Sequence, residues 1–283
     1  MITSRNWTDV VPHLVLILGV AIFAFPIYVA VIGSTWDIGT IGRGQLPLYP
    51  GPEGWDNYSQ ALFGGQGLRL SYTPVSRMMM NSLIVALAIT IGKISISIIS
   101  AYAVAFFRFP GRMLFFWMIF ITLMLPVEVR MVPTYEVVSN LGMVDTYAGL
   151  TVPLIASATA TLLFRQFFLT IPDELVEAAK IDGAGPMRFF RDVVLPLSRT
   201  NIAALFVILF IYGWNQYLWP LLITSSREME TVVIGITKMM GTGDAQVDWH
   251  LIMTTTVLAL LPPVAVVLVM MRTFVRGLVD GDK

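Results

Sequence analysis

The stretch I-P-D-E-L-V-E-A-A-K-I-D-G-A-G-P-M-R-F-F-R-D-V-V-L-P, residues 171–196, is a polar segment between two strongly apolar ones. Pro172 suits the first turn of a helix, where a missing N–H costs little. Asp173 and Glu174 follow it, at the end where the helix dipole favours carboxylates. Gly183 has no side chain, and glycine commonly ends helices. We therefore expect a short helix that begins near Pro172 and ends at Gly183.

The faces of this short helix suggest what the polar segment does. Leu175, Ala178 and Ala179 recur at spacings of three and four, which puts them on one face. Small side chains on a surface helix allow that face to lie deep in a groove of another protein. A second short helix, rich in aromatic residues, is expected after the Gly185-Pro186 turn. The polar segment is therefore predicted to be a docking element.

The composition indicates a polytopic membrane protein. Of the 283 residues, 56% are hydrophobic and 13% are charged, whereas soluble domains carry about 25% charged residues. The mean hydropathy is +0.76. The formal net charge is zero, which argues against nucleic acid as a partner. The lack of cysteine excludes disulfides and thiolate metal sites, and the two histidines, His13 and His250, are expected at membrane boundaries rather than in a metal or acid–base centre.

Six apolar runs approach or exceed the roughly 20 residues that cross a bilayer. The expected spans are residues 11–33, 78–107, 113–132, 146–168, 201–224 and 250–271. Pro126 interrupts the third span. The predicted fold class is an all-α membrane protein with six transmembrane helices. Its domain is expected to occupy residues 11–272, after an N-terminal segment 1–10 and before a tail 273–283, with an external loop at 35–77 and the polar loop at 170–197.

Charge asymmetry predicts the orientation of the chain. Six spans place both termini on one side of the membrane. If that side is the cytoplasm, 11 basic residues fall in cytoplasmic segments and six in the longer external loops. The positive-inside rule then places both termini and the polar segment in the cytoplasm.

Three groups in the polar segment match a known motif, spacing included: Glu177-Ala178-Ala179, then Asp182-Gly183-Ala184, then Leu195-Pro196. They resemble the "EAA" loop of the permease subunits of ABC importers. Further stretches resemble the maltose-permease-like branch of that family: F-I-T-L-M-L-P-V-E-V-R at 120–130, A-T-L-L-F-R-Q-F-F at 160–168, I-Y-G-W-N-Q-Y-L-W-P-L-L at 211–222 and F-V-R-G-L-V-D at 274–280. The resemblance covers nearly the whole chain.

The resemblance implies a type I ABC importer transmembrane domain with a cytoplasmic coupling helix, in the inner membrane of a bacterial cell. It implies three partners besides lipid: a second permease subunit, an ABC ATPase dimer and an extracytoplasmic substrate-binding protein. The chain would be non-catalytic and need no cofactor, because ATP binds to the ATPase. The implied cargo is sn-glycerol 3-phosphate, with glycerophosphodiesters as an extension. A neutral sugar or another glycerol derivative is the alternative.

The same resemblance assigns ATPase docking to the coupling helix, through Glu177, Ala178, Ala179, Asp182, Gly183 and Ala184. Glu177 is either an ordinary exposed carboxylate or a contact at the rim of the ATPase groove. Asp182 either caps the turn or faces the partner.

The substrate path is predicted from residue chemistry. Lys93 lies near the middle of the second span, where an ionisable side chain is costly and usually faces a cavity or a partner. A cation there suits an anionic phosphate ester; the alternative is a pair with a neighbouring helix or subunit. Trp214, Asn215 and Gln216 offer flat surfaces and hydrogen bonds in the fifth span, either as a cavity wall or as helix packing.

Two other classes of protein fit less well. An ion-gradient-driven secondary transporter would be favoured by carboxylates within the membrane, but every Asp and Glu falls in loops or near span ends. It would also leave the polar segment without a role. An intramembrane enzyme lacks catalytic groups. Gly92-Lys93 is similar to the end of a phosphate-binding loop, yet Leu87 stands where that loop requires glycine.

Overall fold

The computed structural model describes residues 7–64, 73–122, 125–241 and 247–280, and its regular structure within them is helical. In chain order the α-helices are α1 (Trp7–Gly33), α2 (Ile38–Gly42), α3 (Gly54–Phe63), α4 (Val75–Phe106), α5 (Arg112–Ile121), α6 (Val127–Asn140), α7 (Tyr147–Thr151), α8 (Ala158–Phe168), α9 (Asp173–Ile181), α10 (Pro186–Phe189), α11 (Leu195–Leu197), α12 (Arg199–Trp214), α13 (Leu218–Ile223), α14 (Val232–Met239) and α15 (Trp249–Asp280). The prediction of an all-α chain is confirmed.

Parts of five predicted segments lie outside the described residues. They are 1–6 of the N-terminal segment, 65–72 of the external loop, 123–124 of the third span, 242–246 of the loop before the sixth span, and 281–283 of the tail. The described part of the external loop is structured, since it contains α2 and α3.

The chain forms two compact units, and the first combines residues 1–77 with 235–261. The backbone carbonyl of Ser34, just after α1, is its main polar junction. This oxygen accepts hydrogen bonds from Asn57 Nδ2 of α3 at 3.0 Å and from Thr254 Oγ1 of α15 at 3.4 Å. Asn57 Nδ2 also donates to the carbonyl of Trp36 at 2.9 Å. The external loop is thereby fixed to the helices of its own unit.

The second unit combines residues 78–234 with 262–283, and its described residues include two apolar cores. One core is built mainly by α4, α8, α12 and the polar segment, with Ile98, Phe164, Phe168, Phe189, Val194 and Leu209 among its buried residues. The other consists of Val85, Ile89, Val138, Leu150, Trp219 and Ile223. Trp219 also donates its indole N–H to the carbonyl of Gly149 at 2.9 Å, which fixes α13 against α7.

Among the residues that the structure describes, three helices are long and apolar enough to cross a membrane alone: Val11–Gly33, Val75–Phe106 and Trp249–Met271. Two helix pairs reach that length only together: Tyr147–Leu154 with Ala158–Phe168, bent by 46°, and Pro186–Leu197 with Arg199–Trp214, bent by 70°. Ser157 accounts for the first bend, because its Oγ accepts the N–H of Ala160 and starts a new helix. In the second pair every charged residue except Arg199, the first residue of α12, precedes the bend, so the rest of α12 is uncharged.

The third predicted span, residues 113–132, is not one continuous helix. α5 ends at Ile121, and Pro126 stands at the N-cap of α6. Because proline has no N–H to donate, it starts a helix more readily than it continues one. α5 has 10 residues, or about 15 Å of helix, half of a hydrocarbon layer roughly 30 Å thick. Pro126 is the break that its position predicted, but α6 runs past residue 132 to Asn140.

The fifth predicted span differs from the structure, whereas the sixth agrees with it. The fifth span, residues 201–224, breaks after Trp214, where Asn215 caps α12, and resumes at Leu218. The sixth span was expected to end at residue 271, and the apolar part of α15 does end at Met271. The helix itself continues through the polar sequence to Asp280.

Candidate functional site

The polar segment begins with a helix whose charges follow its dipole. α9 runs from Asp173 to Ile181, with Pro172 at its N-cap. Asp173 and Glu174 lie in its first turn and Lys180 in its last. Carboxylates at the positive end and a cation at the negative end each stabilise a helix by about 0.3–1 kcal/mol. The predicted start of the helix is confirmed.

Gly183 ends α9 in a left-handed turn. Its φ is 69°, and its N–H donates to the carbonyl of Lys180 at 3.0 Å. The N–H of Ala184 donates to the carbonyl of Ala179 at 2.9 Å. These two bonds form the Schellman motif, in which the residue at positive φ is usually glycine because a Cβ would be strained there. The predicted end of the helix at Gly183 is confirmed.

The second half of the polar segment is anchored in the core. α10 begins at Pro186, continues through a π-helical turn over Phe190–Val194 and joins α11. Phe189 is buried among the residues of the first core, and the phenol of Tyr102 donates to the carbonyl of Pro186 at 2.7 Å. The segment is therefore held by both apolar packing and a side-chain hydrogen bond to α4.

Charges on the second half of the segment form a small exposed cluster. Arg191 Nε donates to Asp192 Oδ1 at 2.9 Å, and Arg188 Nε lies 3.5 Å from Asp192 Oδ2. The hydrogen bond from Arg191 holds the pKa of Asp192 below its ordinary value. The cluster therefore stays ionised and carries a net positive charge.

The expected face of Leu175, Ala178 and Ala179 is split in the structure. Ala179 is half-buried and packs against the chain's own core, whereas Ala178 is exposed. Ala179 therefore serves at least to attach α9 to the core, and docking of the ATPase through Ala179 stays a prediction. Leu175 is exposed, as expected.

Two large apolar side chains on the outer face were missed by the sequence reasoning. Ile181 is 86% exposed and Met187 is 75% exposed, on either side of the Gly183 turn. Ile181 lies three residues after Ala178, so its helical spacing was the signal that could have identified it. Together with Ala178 and the exposed carboxylate of Glu177, these residues form the outer face of the polar segment.

Lys93 of α4 is buried, with 6% of its surface exposed. Its Nζ lies 3.7 Å from the centroid of the Tyr212 ring on α12. In the part of the chain that the structure describes, no Asp or Glu forms an ion pair with Lys93. A cation over an aromatic face is stabilised by about 2 kcal/mol or more when it is removed from water.

The remaining substrate-path residues surround the break after α12. Gln216 Nε2 donates to the backbone carbonyl of Tyr212 at 3.1 Å, one helical turn earlier. Trp214 is buried and stacks on Phe210 with centroids 5.9 Å apart, as in the helix-packing alternative. Asn215 is exposed at the cap of α12. The structure thus directs Trp214 into the core, and a role of these three residues in a substrate path stays a prediction.

A family model described as "Binding-protein-dependent transport system inner membrane component" matches residues 93–280, more than half of the chain. The chain belongs to this family. The match includes both the polar segment and Lys93. The protein is accordingly an inner-membrane transport component.

Full-length relatives carry the name "sn-glycerol-3-phosphate transport system permease protein UgpE". Those of Brucella melitensis and Rhizobium meliloti are both 58% identical to this chain, and that of Agrobacterium fabrum is 59% identical. Each alignment spans 283 residues and covers 100% of both chains.

A solved structure also shares the fold. It belongs to a bacterial ABC transporter involved in the import of the acidic polysaccharide alginate, and it superposes with a TM-score of 0.82 at 19% identity, covering 96% of this chain and 99% of that one. The prediction of a type I ABC importer permease domain is confirmed.

Proposed function

We propose that this chain is one of two permease subunits of an ATP-driven importer for sn-glycerol 3-phosphate. The observation that carries the proposal is the likeness to permeases of that name, at 58–59% identity over the whole of both chains. Glycerophosphodiesters, which share the phosphoglycerol group, are the proposed extension of the cargo range.

The proposed energy source is a separate ATPase dimer. The polar segment is its coupling helix, and ATP binds to the partner, so this chain has no catalytic residue and no cofactor of its own. The outer face supports this role, because Ile181 and Met187 expose apolar surface that a soluble groove would bury. Glu177 and Asp182 lie at the edge of that face as polar contacts.

The proposed orientation follows the charge asymmetry of the loops. Both termini and the coupling helix lie in the cytoplasm, where 11 basic residues fall, against six on the other side. The external loop at 35–77 and the loop that contains α14 then face the extracytoplasmic binding protein, which delivers the cargo.

The proposed cargo contact in this subunit is Lys93. The Lys93 ammonium lies over an aromatic face, and no carboxylate among the described residues pairs with it and would compete with the cargo. An anionic phosphate can therefore pair with it strongly in a site of low dielectric. Gln216, whose Nε2 donates to the backbone carbonyl of Tyr212, is a further proposed contact, whereas Trp214 supports the helix that carries Tyr212. Asn215 completes the polar break and is the fourth residue of the proposed path.

Uptake in proteoliposomes tests this function. The permease pair and ATPase would be reconstituted with ATP in the lumen and the binding protein outside, and labelled sn-glycerol 3-phosphate, glycerol and maltose compared. Accumulation of the phosphate ester that requires ATP and the binding protein is the expected result. Accumulation of maltose or glycerol instead would transfer the assignment to the neutral-cargo alternative.

A further inference from the structure

A cavity of about 310 Å³ separates the end of α4 from the polar segment. Tyr102 and Phe106 of α4 line it, together with Phe107 just after the helix, and Phe189 lines it from α10. Val176 and Ala179 of α9 complete the apolar wall. A volume of this size is at the lower end of the range for small-ligand sites.

The walls of the cavity are fixed by direct contacts. The phenol of Tyr102 donates to the carbonyl of Pro186 at 2.7 Å, which ties α4 to the start of α10. The rings of Phe106 and Phe189 meet edge to face with centroids 5.4 Å apart. Because both sides of the cavity are held in this way, it is formed before any ligand arrives, and binding requires little ordering of the protein.

Two cations, Arg108 and Lys180, complete the lining. Both are exposed, and neither forms an ion pair with any residue that the structure describes. The nearby Arg112 differs, because it does not line this cavity and its Nη1 donates to the carbonyl of Phe107. An apolar cavity with two unpaired cations at its edge suits a ligand that joins an anionic head to an apolar stem.

The location of the cavity identifies the source of such a ligand. α4 is a membrane-crossing helix that ends at Phe106, so the cavity lies at the level where head groups meet acyl chains. Ile96, Ile99 and Phe107 are exposed at spacings that form one apolar stripe along α4 and lead to the cavity. Basic pockets between transmembrane helices are the usual binding sites for anionic lipid head groups.

From these observations we infer that the cavity binds an anionic phospholipid, with the phosphate between Arg108 and Lys180 and an acyl chain along the exposed stripe of α4. The lipid contacts both α4 and the polar segment. Its occupancy therefore stabilises the position of α9 relative to α4. This last consequence rests on the proposed function, in which α9 transmits the motion of the ATPase; the binding itself does not.

Native mass spectrometry of the purified complex in mixed micelles measures the binding directly. Phosphatidylglycerol and phosphatidylcholine of equal chain length would be compared in the wild type, in Arg108→Gln/Lys180→Gln, and in the control Arg112→Gln. We expect one retained phosphatidylglycerol per copy of this chain, and at least tenfold weaker retention in the double variant only. Equal retention of the two lipids, or an equal loss in Arg112→Gln, would show diffuse electrostatics and overturn the inference.

Two further measurements distinguish a lipid phosphate from other anions that Arg108 and Lys180 could bind. Inorganic phosphate and sn-glycerol 3-phosphate present an anionic phosphate without acyl chains, so displacement of the lipid by either at millimolar concentration would contradict the lipid assignment. Loss of the ATPase from the double variant, with unchanged lipid retention, would show that the cations bind an acidic side chain of the ATPase instead. No arm depends on transport, so failure here leaves the uptake test unaffected.

Discussion

The ammonium of Lys93 lies 3.7 Å from the ring centroid of Tyr212, which joins α4 to α12 in the interior of the membrane domain. This contact stabilises a buried cation without neutralising it, because the ring offers a quadrupole and no formal charge. A carboxylate in the same position would have competed with an anionic cargo. The arrangement of Lys93 over Tyr212 therefore suits the proposed role of Lys93, which is to bind and release a phosphate.

Lys93→Met should reduce uptake of sn-glycerol 3-phosphate while the complex still assembles. A hydrogen bond to a charged group contributes about 1.5–3 kcal/mol, which corresponds to roughly 10- to 100-fold in affinity. Tyr212→Phe is the matched control, because it keeps the ring face, and it should transport normally. If Lys93→Met prevents the subunits from copurifying, the lysine has a structural role instead.

Gly183→Ala should uncouple ATP hydrolysis from cargo. The φ of 69° at Gly183 costs a residue with a Cβ roughly 1–2 kcal/mol, so the turn that places Ile181 relative to Met187 is populated about 5- to 30-fold less. Gly185→Ala is the control, because Gly185 has a φ of −70° and a Cβ there meets no atom within 4 Å. Cargo-stimulated ATPase activity would be measured in both, and equal activity in the two variants would contradict the role of the turn.

Ile181→Asp should weaken ATPase docking. Burial of an isoleucine side chain contributes about 1.5–3 kcal/mol, and a carboxylate would replace that contact with an unpaired charge. Copurification of the ATPase with the permease pair would be quantified. Ile181→Met keeps an apolar side chain and should retain the ATPase, whereas full retention by Ile181→Asp would mean that this surface stays in solvent.

Gly213→Ala should destabilise the second unit. A Cβ at Gly213 would lie 2.9 Å from the Cα of Ala86 on α4, a backbone atom that cannot rotate away. Overpacking costs about 1–3 kcal/mol and exceeds the gain of about 1 kcal/mol in helix propensity. Gly19→Ala in α1 is the control. A Cβ there meets no atom within 4 Å, so this substitution brings only the gain in helix propensity. A lower melting temperature for Gly213→Ala alone is expected; matched melting temperatures would show that α4 and α12 are not closely packed there.

Asp145→Ala should loosen the attachment of the α6–α7 connection to the segment that follows α13, at a cost of about 1 kcal/mol. Asp145 has a φ of 58°, and its Oδ1 accepts the backbone N–H groups of Ser225 at 3.0 Å and Ser226 at 3.1 Å. Burial alone would raise the pKa of this carboxyl, but the hydrogen bonds from Ser226 and Ser225 outweigh it and the pKa lies below the ordinary 3.8.

The difference in stability between wild type and Asp145→Ala depends on pH, because the pKa of Asp145 is lowered in the folded state. The stabilisation is fully present above pH 3.8 and is lost as the pH falls through the lower pKa of the folded state. Melting temperatures of wild type and Asp145→Ala should therefore draw closer in acid, and the part of the difference that comes from alanine at a φ of 58° should persist. Asp145→Asn retains a carbonyl acceptor and tolerance of positive φ, so it should fall between them at neutral pH; a wild-type melting temperature for Asp145→Ala would disprove the assignment.

Local signals in the sequence determine the start and end of α9. Pro172 and Gly183 act through backbone geometry within one helical turn, so their roles could be read without any tertiary information. The partial burial of Ala179 could not be read from the sequence in this way, because it depends on which side of α9 packs on the core that contains Phe168 and Phe189. The break at Pro126 was predictable for the same local reason as Pro172, but the length of α6 was not.

The partner of Lys93 also lay beyond sequence reasoning. The lysine was identifiable as an ionisable residue in an apolar run, but Tyr212 belongs to a distant helix. The close approach of Gly213 to Ala86, which brings α4 and α12 together, is likewise a tertiary contact. Trp214 and Gln216 are close neighbours in sequence, yet the end of α12 between them turns one into the core and the other towards Tyr212.

The most direct test of the central claim is ATPase stimulation in the complete complex. This chain would be reconstituted with its partner permease, the ATPase and the binding protein, and hydrolysis measured with sn-glycerol 3-phosphate and with maltose. Stimulation by sn-glycerol 3-phosphate alone is the predicted result. Stimulation by maltose, or an unchanged rate with sn-glycerol 3-phosphate, would contradict the proposed importer.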